Sequence, residues 1–355
     1  MTLSATFSQP DRAALAQRWQ ALEARAQGSF FLGWTWVSAW IDSYGLRPDL
    51  LTVTDEAGRD VALALMGHAM TPRLLGPVAT LSLNQSGDAQ ADRPYVEYNG
   101  LLIEAGREAE ASAAAMAAIM RRRDWRALRM SGVEPGAPLL AMQAHRRARV
   151  DVSPVYQVDL DAVRAADGDY LALLSSNTRS QIRRAMKDHG GPLPTVTVGG
   201  MDDVTPWLAE MAAMNGGRHV DNAWDDAAFR DFVATIAARG LPSGAVELLR
   251  FTDAGGVVGL LVNFVHRGVA MNYQSAFASP RTGKDKPGLL CHAAAVGDYA
   301  GRGLTRYSLL AGKDRYKQSL ATCEEVLEWW VLERFSPRLE AEALLRRMLR
   351  RPVSA

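Results

Sequence analysis

The chain has 355 residues, 48% of them hydrophobic, and its 40 Lys and Arg nearly balance its 39 Asp and Glu to a formal charge of +1. That length predicts two domains of about 150 to 180 residues with full cores, and the near-neutral balance excludes a chain whose main partner is nucleic acid, which needs a strongly basic face. The only cysteines, Cys291 and Cys323, stand alone without a CxxC or a histidine cluster, which points to a reduced, cytosolic protein with no structural metal site.

In chain order, residues 11–26 carry an amphipathic helical pattern, and a second helix over 35–44 sets Trp36, Trp40 and Tyr44 on one face. Residues 49–54 and 61–68 read as a hairpin around 56–59. A strand over 78–83 leads into a polar loop, 84–94, which ends at the cluster Tyr95, Glu97, Tyr98, Asn99 and a strand over 100–103. A helix over 108–122 and a strand over 127–131 follow, and Pro135 and Pro138 break the chain. The alanine-rich stretch 109–119 is too short and interrupted to span a bilayer, and no basic n-region with an apolar run marks a signal peptide.

The same order returns after residue 165: helices to 238, a hairpin over 247–264, a strand over 270–276, a helix from 287 and a strand from 305. This predicts two copies of one mixed α/β unit, 1–153 and 154–336, with a cleft between them where a ligand fits. Residues 337–355 form a separate basic amphipathic tail, with Arg346, Arg347, Arg350 and Arg351 set against a leucine face.

The loop 279–288 leaves a strand and enters a helix, so its backbone N–H groups can face a phosphate. Arg281, Lys284 and Lys286 add charge there, Gly283 and Gly288 add freedom, and Pro287 suits the first helical position. A polar turn from Gly312 then delivers Tyr316 and Lys317.

His219 and Trp224, the hairpin, Tyr273, Pro287-Gly288, Gly312 and Tyr316-Lys317 together resemble the C-terminal half of the GNAT acyltransferases of the cellulose-biosynthesis (CelD/BcsL-like) and FemAB-like branch. Residues 174–186 resemble that branch's entry helix; 31–40 and 95–102 are similar to its N-terminal elements. The resemblance implies an α/β fold of two tandem GNAT-like domains, with acyl-CoA, acetyl-CoA foremost, as cosubstrate. It also implies transfer to the amino or hydroxyl group of a sugar or lipid-linked sugar in exopolysaccharide or envelope synthesis.

On that basis Lys317 stabilises developing negative charge, with Tyr316 beside it or packed in the core, and Glu97 is the proton acceptor. Arg281, Gly283, Lys284, Lys286 and Gly288 hold CoA, while Tyr98, Asn99, Arg179, His219 and Tyr273 face the acceptor. Arg179, with Arg183 and Arg184, can bind a phosphorylated or nucleotide-linked acceptor through bidentate contacts, although a solvated basic helix face is the more frequent case, and His292 reads as a packing histidine. Ser308 stands where many relatives carry an aspartate. Two other readings stay open: a FemAB-type aminoacyl transferase, and a non-catalytic binder whose basic tail meets a membrane or an anionic effector such as a cyclic dinucleotide.

Overall fold

In the computed structural model, residues 3–217, 222–283 and 285–350 are described. The strands and helices follow in chain order: β1 (Ser4–Ser8), α1 (Arg12–Glu23), α2 (Trp34–Tyr44), β2 (Asp49–Thr54), β3 (Asp60–Thr71), β4 (Val78–Leu83), β5 (Leu102–Ile103), α3 (Glu108–Arg121), β6 (Ala127–Val133) and β7 (Arg146–Asp159). Then come α4 (Leu160–Ala165), α5 (Ser176–Asp188), β8 (Thr195–Val198), α6 (Val204–Asn215), α7 (Ala227–Gly240), β9 (Val246–Asp253), β10 (Gly256–His266) and β11 (Val269–Phe277). The chain closes with α8 (Pro287–Gly301), β12 (Arg306–Ala311), α9 (Arg315–Leu320), β13 (Cys323–Glu333) and α10 (Pro337–Arg350).

The chain divides into two compact units. Unit 1 comprises residues 1–41, 45–152 and 327–355; unit 2 comprises 42–44 and 153–326. Unit 1 orders its strands β1-β2-β3-β4-β6-β13, with β5 pairing β3. All of these neighbours are antiparallel except β4 and β6, which α3 joins as a parallel pair. The helix α1 begins where the Asp11 carboxylate accepts from the Ala14 N–H at 2.8 Å, an N-cap. It buries Leu15, Trp19 and Leu22 on one face. The core between α3 and the sheet is built from Ala111, Ala115, Ile119 and Trp125 against Leu51, Val61, Leu128 and Met130.

Unit 2 repeats the plan in the order β7-β12-β11-β10-β9-β8. The helix α8 connects β11 to its parallel neighbour β12. Pro287 starts that helix, where a missing N–H costs nothing. Eleven of its fifteen residues are buried, so it is a central helix rather than a half-wet one, packed with Tyr170, Ile182, Leu261 and Tyr307.

Several expected features shift. Residues 146–159 were not expected as a strand and form β7; β13 likewise was unforeseen. Residues 328–333 of β13 pair with β6, so unit 1 takes its last strand, and α10 after it, from the C-terminal part of the chain. The polar turn expected at 312–317 instead becomes, from Arg315, the short helix α9.

Gly67 in β3 lies against the 84–86 turn, where an added Cβ would come within 2.2 Å of the Gln85 carbonyl oxygen. Backbone on both sides cannot yield as a side-chain tip can. Gly67→Ala is expected to cost about 3 kcal/mol and to lower Tm by about 6 to 10 °C. Scanning calorimetry checks this, and an unchanged Tm would contradict it.

Candidate active site

The loop after β11 is held by a closed ring of polar contacts. The Arg281 N–H donates to Asp285 Oδ2 at 2.8 Å, and the other Asp285 oxygen lies 2.9 Å from His189 Nε2. His189 Nδ1 is 2.6 Å from Asp253 Oδ2, and Asp253 Oδ1 receives the Arg281 guanidinium at 2.8 Å. The side chains of His189 and Asp285 are 2% and 1% exposed, so that contact is dry, while Arg281 closes the ring from the exposed side. Burial acts to raise the Asp253 carboxyl, but hydrogen bonds from Arg281, His189 and Gly255 together hold it below the ordinary carboxylate range. The ring ties the end of α5, the β9–β10 turn and the loop into one body just ahead of α8.

That body presents the loop to the start of α8, a fifteen-residue helix whose N-terminal N–H groups carry partial positive charge. Lys286 is exposed at its cap position. Gly288 sits where a Cβ would press on the Phe277 ring at 3.1 Å, so its smallness lets the first turn approach β11. Gly283 is exposed with open space around it, and Lys284 lies outside the described residues. Arg281 is committed to Asp253 while remaining partly exposed.

Next to this helix start, β11 and β12 part. Their parallel pairing covers only Val269–Met271 with Arg306–Ser308, although β11 continues to Phe277 and β12 to Ala311. Ser308 Oγ accepts from the Leu310 N–H at 3.1 Å, Leu310 adopts a left-handed φ of 58°, and β12 slips register against β7 here. Ser308 therefore shapes the bend, which explains a small hydroxyl at that position.

Lys317 reaches back from α9 and donates to the Ala311 carbonyl at 2.9 Å. It passes over Gly312, where a Cβ would lie 2.8 Å from Nζ. Below it His292 is fully buried, with Nδ1 2.8 Å from the Tyr307 hydroxyl. Its Nε2 has no hydrogen-bond partner among the described residues. Tyr316 stacks on the imidazole at 6.1 Å and 21°. Tyr316 is 41% exposed overall, yet the burial it does have first, and the Asp314 charge second, push its phenol up to about 12. Burial, with a smaller contribution from Lys317, pushes His292 down to about 3.

The sign for His292 follows from the depressed value. A neutral imidazole in the fold and an ordinary one near 6.5 in the unfolded chain make its contribution complete above pH 6.5 and progressively lost towards pH 3. Stability is expected to fall by about 3 kcal/mol between pH 6.5 and 4 from this residue. Urea unfolding of wild type and His292→Gln across that range tests it, the variant losing that component of the slope.

The other expected site residues lie apart in kind. Tyr273 stacks on Phe264 at 4.7 Å among Phe229 and Phe232, an aromatic packing role. Arg179 is half-buried on α5. His219 lies outside the described residues. In unit 1, Glu97 is buried and Tyr98 has a left-handed φ of 48°. Asn99 donates to the Leu83 and Ser131 carbonyls and accepts from Asn84, so its amide supports the fold. The His189–Asp253–Asp285 network and the His292–Tyr316 stack were not foreseen. Their members come from different elements, and the only local signal was one acid, Asp285, inside a basic loop.

Residues 176–318 match the family described as acetyltransferase (GNAT) domain, a span that holds the loop, α8, the parting strands and Lys317. No curated protein matches the chain in sequence. Among solved structures it is similar to that described as FemX, at 10% identity and a TM-score of 0.58, covering 96% of this chain and 99% of that one. It is likewise similar to the C-terminal domain of a putative lysylphosphatidylglycerol synthetase from Agrobacterium fabrum, at 11% identity, TM-score 0.54, 95% of this chain and 96% of that. A third is L-PGS from Bacillus licheniformis, at 11% identity, TM-score 0.52, with 97% and 98% covered. At such identities these likenesses speak for the fold.

Proposed function

Given an enzyme of the GNAT acyltransferase type whose residues 176–318 match an acetyltransferase domain, we propose that it moves a short acyl group, acetyl foremost, from CoA to an amino or hydroxyl group of a sugar. The sugar is one destined for exopolysaccharide or envelope material. The observation that carries the donor side is the clamped loop feeding the N-terminus of α8 beside the parting of β11 and β12, a place for pyrophosphate next to a slot for an extended thioester arm.

In this reading the acceptor attacks the thioester carbonyl directly. Burial raises the thiol of Cys291 well above its ordinary value and also raises that of Cys323, so neither supplies a thiolate nucleophile at neutral pH. Lys317 lies near the carbonyl oxygen as it gains negative charge. Tyr316, protonated at neutral pH, donates its proton to the leaving CoA sulfur. Glu97 is the proposed acceptor of the nucleophile's proton, tested by Glu97→Gln. Among the described residues no helix is long and apolar enough to cross a membrane, and a cytoplasmic site of action is part of the proposal.

Calorimetric titration with acetyl-CoA is the test. Binding in the micromolar range is expected, and no heat at high micromolar ligand would overturn the donor assignment. A parallel assay with labelled aminoacyl-tRNA separates this reading from aminoacyl transfer: label appearing in a sugar-linked peptide acceptor, with no acetyl-CoA binding, would favour the latter.

A further inference from the structure

Four arginines converge in unit 1 on a cavity of about 830 Å³ whose lining holds no carboxylate. Arg123 and Arg126 come from the connection between α3 and β6, Arg147 from β7, and Arg334 directly follows β13. The nearby acids are committed elsewhere: Asp124 to Arg122, Glu333 to Arg73 and Arg146, Glu340 to Arg146 and His145, and Glu328 to Arg149. No ion pair neutralises Arg123, Arg126 or Arg147 among the described residues.

Arg334 is anchored. Its terminal nitrogens donate to the carbonyls of Arg122, Ile119 and Met120 at the end of α3, and its guanidinium lies 3.9 Å over the Trp125 ring. Its Nε is nevertheless buried without a partner. Burial first, then the charges of Arg123 and Arg126, push its guanidinium below the ordinary value. Like charges gathered without counter-ions disfavour the fold by mutual repulsion. An anion that enters relieves that repulsion and meets planar donors suited to phosphate.

The rest of the wall is apolar. Met120 and Met142 line it, and Phe335 stands 63% exposed, edge-on to the His145 ring at 5.2 Å and 82°. Arg126 also donates to the Arg123 and Trp125 carbonyls and Arg147 lies 5.9 Å over the Trp330 ring, but an exposed phenyl beside guanidinium groups that lack a carboxylate partner among the described residues suits a ligand with an apolar or aromatic body and a charged end.

We propose that this cavity binds a phosphorylated small molecule, one or more phosphate charges joined to an apolar or aromatic body, at a site separate in sequence from the acyl-transfer residues of unit 2. The phosphates engage Arg123, Arg126 and Arg147, and the body packs on Phe335 and Met142. The same chemistry is offered by a free nucleoside diphosphate and by the headgroup of an acidic phospholipid.

The test uses the whole protein without added coenzyme A, itself a phosphorylated molecule with an aromatic body, and substitutions confined to the unit 1 arginines separate this site from the unit 2 loop. Three probes are titrated: inorganic pyrophosphate, ADP, and phosphatidylglycerol vesicles compared with phosphatidylcholine vesicles. Wild type is expected to bind at least one probe, with affinity that falls as salt rises. Arg123→Gln and Arg147→Gln are each expected to weaken that binding about tenfold, and Phe335→Ala to weaken ADP more than pyrophosphate. Both arginine positions are exposed, so Tm should hold, which separates lost binding from lost fold. Binding of ADP identifies a soluble ligand, and binding of phosphatidylglycerol vesicles alone identifies a lipid surface. The proposal is overturned if no probe binds, or if binding is the same in the arginine variants.

Discussion

Lys317→Met is expected to lower kcat/KM for acyl transfer by about 100-fold to 1000-fold, the range for losing a preorganised group that stabilises a developing oxyanion. Affinity for acetyl-CoA should move by less than about threefold, because the ammonium is placed for the reacting carbonyl and not for the nucleotide. The fold should lose only about 1 kcal/mol, the net worth of the bond from Nζ to the Ala311 carbonyl. Lys317→Arg sharpens the result: it keeps the charge but brings a bulkier head to a place where Nζ passes close over Gly312, so partial activity at best is anticipated. Steady-state kinetics with release of the CoA thiol as readout decides the matter, and a Met variant within threefold of wild type would remove Lys317 from the chemistry.

The second large effect is expected at Asp285. Asp285→Ala deletes the acceptor for both the Arg281 N–H and His189 Nε2 and leaves His189 buried with a single carboxylate partner. Leaving buried polar groups without their partner costs about 1 to 3 kcal/mol each, so a clear drop in the urea midpoint is anticipated. The loop before α8 loses its tether at the same time, and the dissociation constant for acetyl-CoA should rise more than tenfold. Asp285→Asn retains an acceptor oxygen and should recover part of both losses. Equal stability in wild type and the Ala variant would show that the ring does not hold the loop.

Local elements were legible where the pattern was self-contained. The hairpin of β9 and β10 has apolar runs on both sides of Gly255-Gly256, and α8 carries its own start signal in Pro287. β7 and β13 were not, because their charged stretches, Arg146-Arg147 with Arg149 and Glu324-Glu325 with Glu328, read as solvated connections. Their strand character comes from partners far along the chain: β12 lies opposite the end of β7 and β6 opposite β13. Tyr316 and Lys317 were singled out, but the helix that carries them is only six residues long and has little periodicity to reveal it. The network of His189, Asp253 and Asp285 could not be found by spacing, since its members lie 64 and 96 positions from His189. It needs the fold before it exists.

The pairing of β13 with β6 also sets a clock on biogenesis. The outer edge of β6 waits for a strand translated about 200 residues later, a delay of roughly 10 to 40 s at usual elongation rates. During that interval the nascent first half holds most of its core but offers an open strand edge to other chains. Completion of unit 1 is therefore tied to the emergence of β13, and the interval before it emerges is when a chaperone that shields strand edges would matter most.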